Sequence, residues 1–207
     1  MTTPFIIYAL PRSRTAWLAH FLSYREWQCY HEQAICMRSM EDVRFFFSQP
    51  NIGSVETAAA PGRHLIRHLI PNIREVVILR PVDEVVGSMM NLDVSDVAQY
   101  DRATLKKGME YGDRILRKIA RESHVLTVDY SDLGKRDTCI KIFEHCLPYS
   151  FDEKWWDSLH NQNIQVNVKD VLLYYFKHKS AIEGFKKHCK SELRRLYRSS
   201  LTMQGGM

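Results

Sequence analysis

Two apolar runs without polar alternation, FIIYAL (5–10) and EVVILR (75–80), constrain this chain most. A strand with one face in water alternates polar and apolar residues. A strand buried on both faces does not, and such strands belong mainly to parallel sheets covered by helices. The residues after each run fit that geometry. After FIIYAL comes a loop at 11–14, then Trp17, Leu18, Phe21 and Leu22 at helical spacing, with Thr15 placed to cap the helix. After EVVILR, Pro81 breaks the strand, and DEVVGSMMNL (83–92) has helical character with Asp83 near its start. SHVLTVDY (123–130) reads as a third strand, followed by a helix near 133–145.

The intervening segments repeat the alternation. WQCYHEQ (27–33) reads as a short extended piece and a turn, and MEDVRFFFS (40–48) as a helix stopped by Pro50. GSVETAAAP (53–61) is open between strand and loop, while RHLIRHLI (63–70) has helical spacing up to Pro71. A longer polar helix is expected from about Asp101 to Ala120, and FDEKWWDSL (151–159) and 168–198 are helical in pattern. Strand, loop and helix in succession predict an α/β fold, a parallel sheet flanked by helices. The 207 residues suit a single domain, with 150–207 mainly a helical extension or cap.

Composition excludes several classes. No stretch of 18 apolar residues occurs, so no membrane span is expected, and with no signal-like start a cytoplasmic location is the default. The five cysteines (Cys29, Cys36, Cys139, Cys146 and Cys189) are odd in number and lack a CxxC pair, against a disulfide framework or zinc knuckle. Cys139 and Cys146 share a helical face and read as buried structural thiols. The net charge of +5 suits an anionic ligand and equally suits solubility. Its basic residues gather in KHK (177–179), KKHCK (186–190) and RRLYR (194–198), punctuated by apolar residues at helical spacing. That is a solvated helix face, and no recognised nucleic-acid module accompanies it.

The loop PRSRT (11–15) carries more chemistry than a turn needs. It lies between a buried strand and a helix, where ligands bind in parallel α/β folds and where helical N–H groups face an anion. Arg12 offers a forked pair of donors, and Ser13 and Thr15 offer hydroxyls. The stretch has neither the glycines nor the lysine of a Walker A loop, so it indicates an anion, not specifically ATP or GTP. The opposing reading makes Arg12 and Arg14 exposed loop charges. The second strand adds weight to the anion: Arg80 ends it, and Ser88 lies two turns into the following helix.

Together these segments resemble the sulfotransferases that use 3′-phosphoadenosine 5′-phosphosulfate. Their phosphosulfate loop has the form P-[KR]-S-G-T-x-W-L, and this chain has Pro11, Arg12, Ser13, Arg14, Thr15, Ala16, Trp17 and Leu18. Their 3′-phosphate site resembles R-x-P-x-D-x-x-x-S, matched in ILRPVDEVVGS by Arg80 and Ser88. VLTVDYSDL (125–133) is similar to their V-x-Y-E-D-L segment, and FDEKWW (151–156) to weaker later segments. The resemblance implies a P-loop-like sheet, sulfuryl transfer to a hydroxyl or amine, and donor binding by Arg12, Ser13, Arg14, Thr15, Arg80 and Ser88. No metal is required. Three departures stand out. Arg14 replaces the usual glycine, bringing strain if φ is positive there, or an added donor contact. Ala16 replaces a frequent hydroxyl. The basic-glycine motif near the C-terminus is not visible, leaving Lys169 or the 186–198 cluster as substitutes.

Transfer also needs a group to take the acceptor's proton. Glu32 and His31, just beyond the first helix, are the leading candidates, with Arg12 stabilising developing charge and Glu56, His64 and His68 in reserve. His64 and His68 are four residues apart, as in some metal pairs, but no HExxH pattern supports a metal. Trp17 reads as core. Two alternatives stay open: a nucleotide-dependent kinase, in which Asp83 would organise magnesium, and a non-catalytic anion-binding or interaction protein. The helices after residue 92 and the regions 24–60 and 150–175 are expected to wall the acceptor pocket; their mixed composition is compatible with small-molecule, carbohydrate and protein acceptors, and Trp155, Trp156, Tyr174 and Tyr175 are candidate stacking residues. Oligomeric state is not encoded in any visible pattern.

Overall fold

A computed structural model describes residues 2–91 and 101–162. Five strands form one sheet: β1 (Phe5–Ala9), β2 (Gln28–His31), β3 (Ile52–Glu56), β4 (Arg74–Leu79) and β5 (Leu126–Asp129). Their order is β2-β3-β1-β4-β5, and every neighbouring pair is parallel. The α/β expectation therefore holds, with β1 at the centre. The helices are α1 (Thr15–Leu22), α2 (Met40–Ser48), α3 (Arg63–Leu69), α4 (Val82–Met90), α5 (Arg102–Ile119), α6 (Arg136–Cys146) and α7 (Glu153–Leu159). The readings on 168–198, including Lys169, Tyr174, Tyr175, Cys189 and the basic clusters, lie outside the described residues.

The lack of alternation in β1 is explained by its neighbours. Phe5, Ile7 and Ala9 face a core made with Trp17, Leu18, Phe21 and Leu22 of α1, and with Ile142 and Phe143 of α6. Ile6 and Tyr8 face the opposite core, with Phe47 of α2, Ile66 of α3, Val85 of α4 and Leu116 of α5. Each large apolar side chain buried this way contributes about 1.5–3 kcal/mol, so the strand is committed on both faces. Cys139 and Cys146 are wholly buried on α6, as their spacing predicts.

β3 is the strand that patterning leaves open. All five of its residues are buried, although IGSVE includes a serine and a glutamate. Gly53 is required by contact: a Cβ there would come within 2.0 Å of the Phe5 ring, its partner in register. Polar ends fix the helices. Ser39 and Asp42 form a reciprocal capping box on α2, and Asp101 and Asp152 cap α5 and α7. Asp152 also accepts from the Tyr24 hydroxyl at 2.7 Å, tying α7 to the end of α1.

A buried ion cluster joins α3 to β4. Glu75 has no exposed side-chain surface and accepts from Arg63 at 2.6 and 2.7 Å and from Arg67 at 3.1 Å. Arg63 also reaches both oxygens of Glu122, at 2.6 and 2.8 Å, and these carboxylates hold its guanidinium pKa above its ordinary value.

Candidate functional site

The parallel sheet sends the ends of all five strands to one edge, and the sequence-predicted residues gather there. In the loop between β1 and α1, Arg12 and Arg14 both take positive φ, 65° and 57°. Left-handed backbone costs an L-residue about 1–2 kcal/mol, so such a turn persists only where its surroundings hold it. Here they do. Arg12 Nε donates to the Ser88 hydroxyl at 3.1 Å, the Arg80 guanidinium donates to the Arg12 carbonyl, and the Leu18 N–H donates to the Arg14 carbonyl at 2.9 Å. Loops of this kind turn backbone N–H groups toward a common concavity suited to anions.

Ser13, between the two arginines, is completely buried, and its hydroxyl has no hydrogen-bond partner among the described residues. Thr15 does not cap α1. Arg14 occupies the cap position without a side-chain bond, and Thr15 is the first helical residue, its hydroxyl 2.9 Å from His31 Nε2. The Arg14 guanidinium turns back over the Trp17 ring at 4.9 Å and donates to the His160 carbonyl at 3.4 Å. Arg14 therefore combines the strained backbone that its replacement of glycine implies with a packing role. Comparing Arg14→Gly with Arg14→Ala isolates the backbone term, because both lose the side chain. The glycine variant should be the more stable by about 1 kcal/mol in urea unfolding; equal stabilities would show that the turn relaxes.

The second predicted segment meets the first. Arg80 comes directly after β4, stacks on the Tyr130 ring at 3.9 Å and donates to Glu84 at 3.4 Å. Ser88 on α4 is the residue that Arg12 engages, so two segments 76 residues apart share one hydrogen bond. Tyr130 is a site residue that the two anion motifs do not contain. Its place in VLTVDYSDL, directly after β5, is the available signal.

The leading proton-acceptor candidates, His31 and Glu32, stand at the end of β2 and directly after it, and Glu56 ends β3 on the same edge. Glu32 Oε1 is 3.8 Å from His31 Nε2, and Glu32 itself has a φ of 60°. Its other carboxylate oxygen is buried without a partner among the described residues. Glu56, at the end of β3, is 1% exposed; its Oε1 accepts from the Ser54 hydroxyl and, at 3.0 Å, from the Ala34 N–H. His64 and His68 are on α3, and no group of three or more potential metal ligands occurs among the described residues. Asp83 lies in the first turn of α4, paired with Lys106 at 2.7 Å, which lowers its pKa. Trp17 is core: 4% exposed, stacked on Phe21 at 4.9 Å, its indole N–H on the Leu159 carbonyl.

Burial pushes the Glu56 carboxyl above its ordinary 4.5, and its hydrogen bonds to Ser54 and Ala34 oppose that shift. A raised carboxyl favours folding while protonated. The advantage is complete below the ordinary value and is lost as pH rises through the folded one. Glu56→Gln, which carries no such titration, should gain thermal stability relative to the parent as pH rises from about 5 to 8. A pH-independent difference in melting temperature would contradict this.

No family model matches the chain, and no curated protein does. Among solved structures, the sulfotransferase domain from the curacin biosynthetic pathway matches with a TM-score of 0.58 at 10% identity, covering 81% of each chain. The chain is thus similar in fold to that domain over most of its length. No helix among the described residues is long and apolar enough to cross a membrane.

Proposed function

We propose that this chain is a sulfotransferase, moving a sulfuryl group from 3′-phosphoadenosine 5′-phosphosulfate to an acceptor hydroxyl or amine. One observation carries the reading: Arg12 bonded to Ser88, with Arg80 on the Arg12 carbonyl, draws the two expected anion-binding segments into one site at the sheet edge. The buried, unpartnered Ser13 hydroxyl suits a ligand oxygen in the same loop. The fold similarity to a sulfotransferase domain is compatible with it.

In this reading Arg12, Ser13, Arg14, Thr15 and the first N–H groups of α1 hold the 5′-phosphosulfate, and Arg80 with Ser88 holds the 3′-phosphate. The donor supplies the activated sulfuryl group. As its bond to the bridging phosphate oxygen breaks, negative charge grows on that oxygen, and Arg12 with the helix N-terminus stabilises it. Glu32 or His31 takes the proton of the attacking acceptor. The contact between His31 and Thr15 couples this pair to the phosphate loop, so the base and the anion cradle are positioned together. No metal is needed to neutralise charge.

Isothermal titration with adenosine 3′,5′-bisphosphate, adenosine 5′-monophosphate and magnesium–ATP tests the assignment. The bisphosphate should bind at least about tenfold more tightly than the monophosphate, the increment of one charge-assisted phosphate contact, without magnesium. Magnesium-dependent ATP binding with no preference for the bisphosphate would replace this reading with a nucleotide-dependent kinase.

A further inference from the structure

Glu32 enters a short 3₁₀ turn, Gln33–Cys36, directly after β2. Its φ of 60° is left-handed backbone, which an L-residue keeps only where the surroundings hold it. The N–H groups that open such a turn have no partner within it, and the side chain at the cap position often supplies one. Glu32 makes no such bond. Its Oε1 lies 3.8 Å from His31 Nε2 instead, and its Oε2 is buried without a partner among the described residues.

The cap comes from the neighbouring strand. Glu56 Oε1 accepts from the Ala34 N–H, the second of the turn, at 3.0 Å. The Ser54 hydroxyl donates to the same oxygen and so fixes the carboxyl from within β3. One residue earlier on that strand, the Val55 carbonyl accepts from the Glu32 N–H at 2.9 Å. Two consecutive residues of β3 therefore hold the chain on both sides of the strained residue. Burial raises the Glu56 pKa and the nearby Glu32 charge adds to the rise, while the Ser54 hydroxyl and the N–H groups of Ala34 and Gln33 oppose it. A carboxyl is buried against such a cost only where its bonds compensate.

We infer that Glu56 is a positioning residue: it caps the turn after β2 from the adjacent strand, which leaves the Glu32 carboxylate available to face His31. The contacts then run from Glu56 through Ala34 to Glu32, His31 and the Thr15 hydroxyl of the phosphate loop, 2.9 Å from His31 Nε2. What Glu32 and His31 do for the acceptor rests on the proposed sulfuryl transfer. The cap rests on the geometry alone. It also explains why a buried strand ends in a glutamate.

Backbone amide exchange and the ring nitrogen signals of His31, both read by NMR on the full chain, test this in Glu56→Leu and Glu56→Gln. In the leucine variant the amides of Glu32 and Met37, bonded to the Val55 and Ala34 carbonyls, should exchange at least about tenfold faster relative to the amides of β1. Glutamine keeps an oxygen for the Ala34 N–H and should bring both back to within about threefold of the parent. Glu32→Gln supplies the signature of a His31 ring without its carboxylate neighbour. Glu56→Leu should move the ring signal most of the way to that position, and Glu56→Gln should leave it near the parent's. Should the leucine variant not fold, Glu56→Ala removes the same acceptor without adding bulk.

Exchange at Glu32 and Met37 that only follows β1, or a glutamine variant as loose as the leucine one, would overturn the cap. A His31 signal that moves in Glu32→Gln but not in Glu56→Leu, or in neither, would overturn the positioning role. If the expected results hold while the chain fails to bind adenosine 3′,5′-bisphosphate, the cap stands and the sulfuryl-transfer reading falls. Bisphosphate binding beside an unaltered turn in Glu56→Leu keeps that reading and removes Glu56 from it.

Discussion

Replacing Arg80 with alanine is expected to lower affinity for adenosine 3′,5′-bisphosphate about 100-fold and to erase its advantage over the monophosphate. The magnitude corresponds to about 3 kcal/mol, the loss of two charge-assisted hydrogen bonds to one phosphate. In the proposed role, two contacts hold the side chain in place before any ligand arrives. Stacking on Tyr130 at 3.9 Å fixes the plane of the guanidinium, and the bond to the Arg12 carbonyl fixes one edge. Because that bond also supports the strained loop, monophosphate affinity should fall as well, but by much less. Arg80→Lys is the informative companion. It keeps the charge and loses the planar fork, so it should recover only part of the affinity. Calorimetric titration of both variants against both nucleotides reads the effect. A bisphosphate preference that persists in Arg80→Ala would place the 3′-phosphate elsewhere and remove the strongest link between the geometry and the proposed donor.

The largest stability effect should come from the opposite side of β4. Arg63→Met leaves the fully buried Glu75 with Arg67 at 3.1 Å and with His124, which is charged only if protonated. Breaking a buried pair from one side typically costs about 3–5 kcal/mol, and the remaining Arg67 contact argues for the lower end. Urea unfolding should therefore show a loss of about 3 kcal/mol with an unchanged denaturant slope. Adding Glu75→Leu should restore most of that loss, because the cost lies in the uncompensated charge rather than in missing attraction. If the double variant is no more stable than the single one, the carboxylate is not what makes the single change costly.

Much of the fold was legible from the chain alone, for a local reason. FIIYA and REVVIL are committed to two-sided burial by composition, and Pro11 and Pro81 mark where they end. The helical spacing of Trp17, Leu18, Phe21 and Leu22 survives in α1 because one face of that helix meets one face of the sheet. β3 was not legible, because its serine and glutamate are buried by contacts from distant segments, and Gly53 is explained only by the Phe5 ring across the sheet. Nor could Thr15 be assigned correctly from its position. A threonine at a helix start usually caps it, whereas here a left-handed Arg14 takes that place and the hydroxyl meets His31.

The site divides along the same line. By itself, the sequence determined which residue types stand where two parallel strands end, Arg12–Thr15 and then Arg80 with Ser88, since strand ends and helix starts are local properties. The tertiary structure alone decided that these segments meet, that Arg14 points back to Trp17, that Tyr130 backs Arg80, and that Glu56 is buried on the Ser54 hydroxyl and the Ala34 N–H. The bond that joins the two expected anion segments links residues 76 positions apart. Sheet order sets such contacts, and no local pattern in the chain records it.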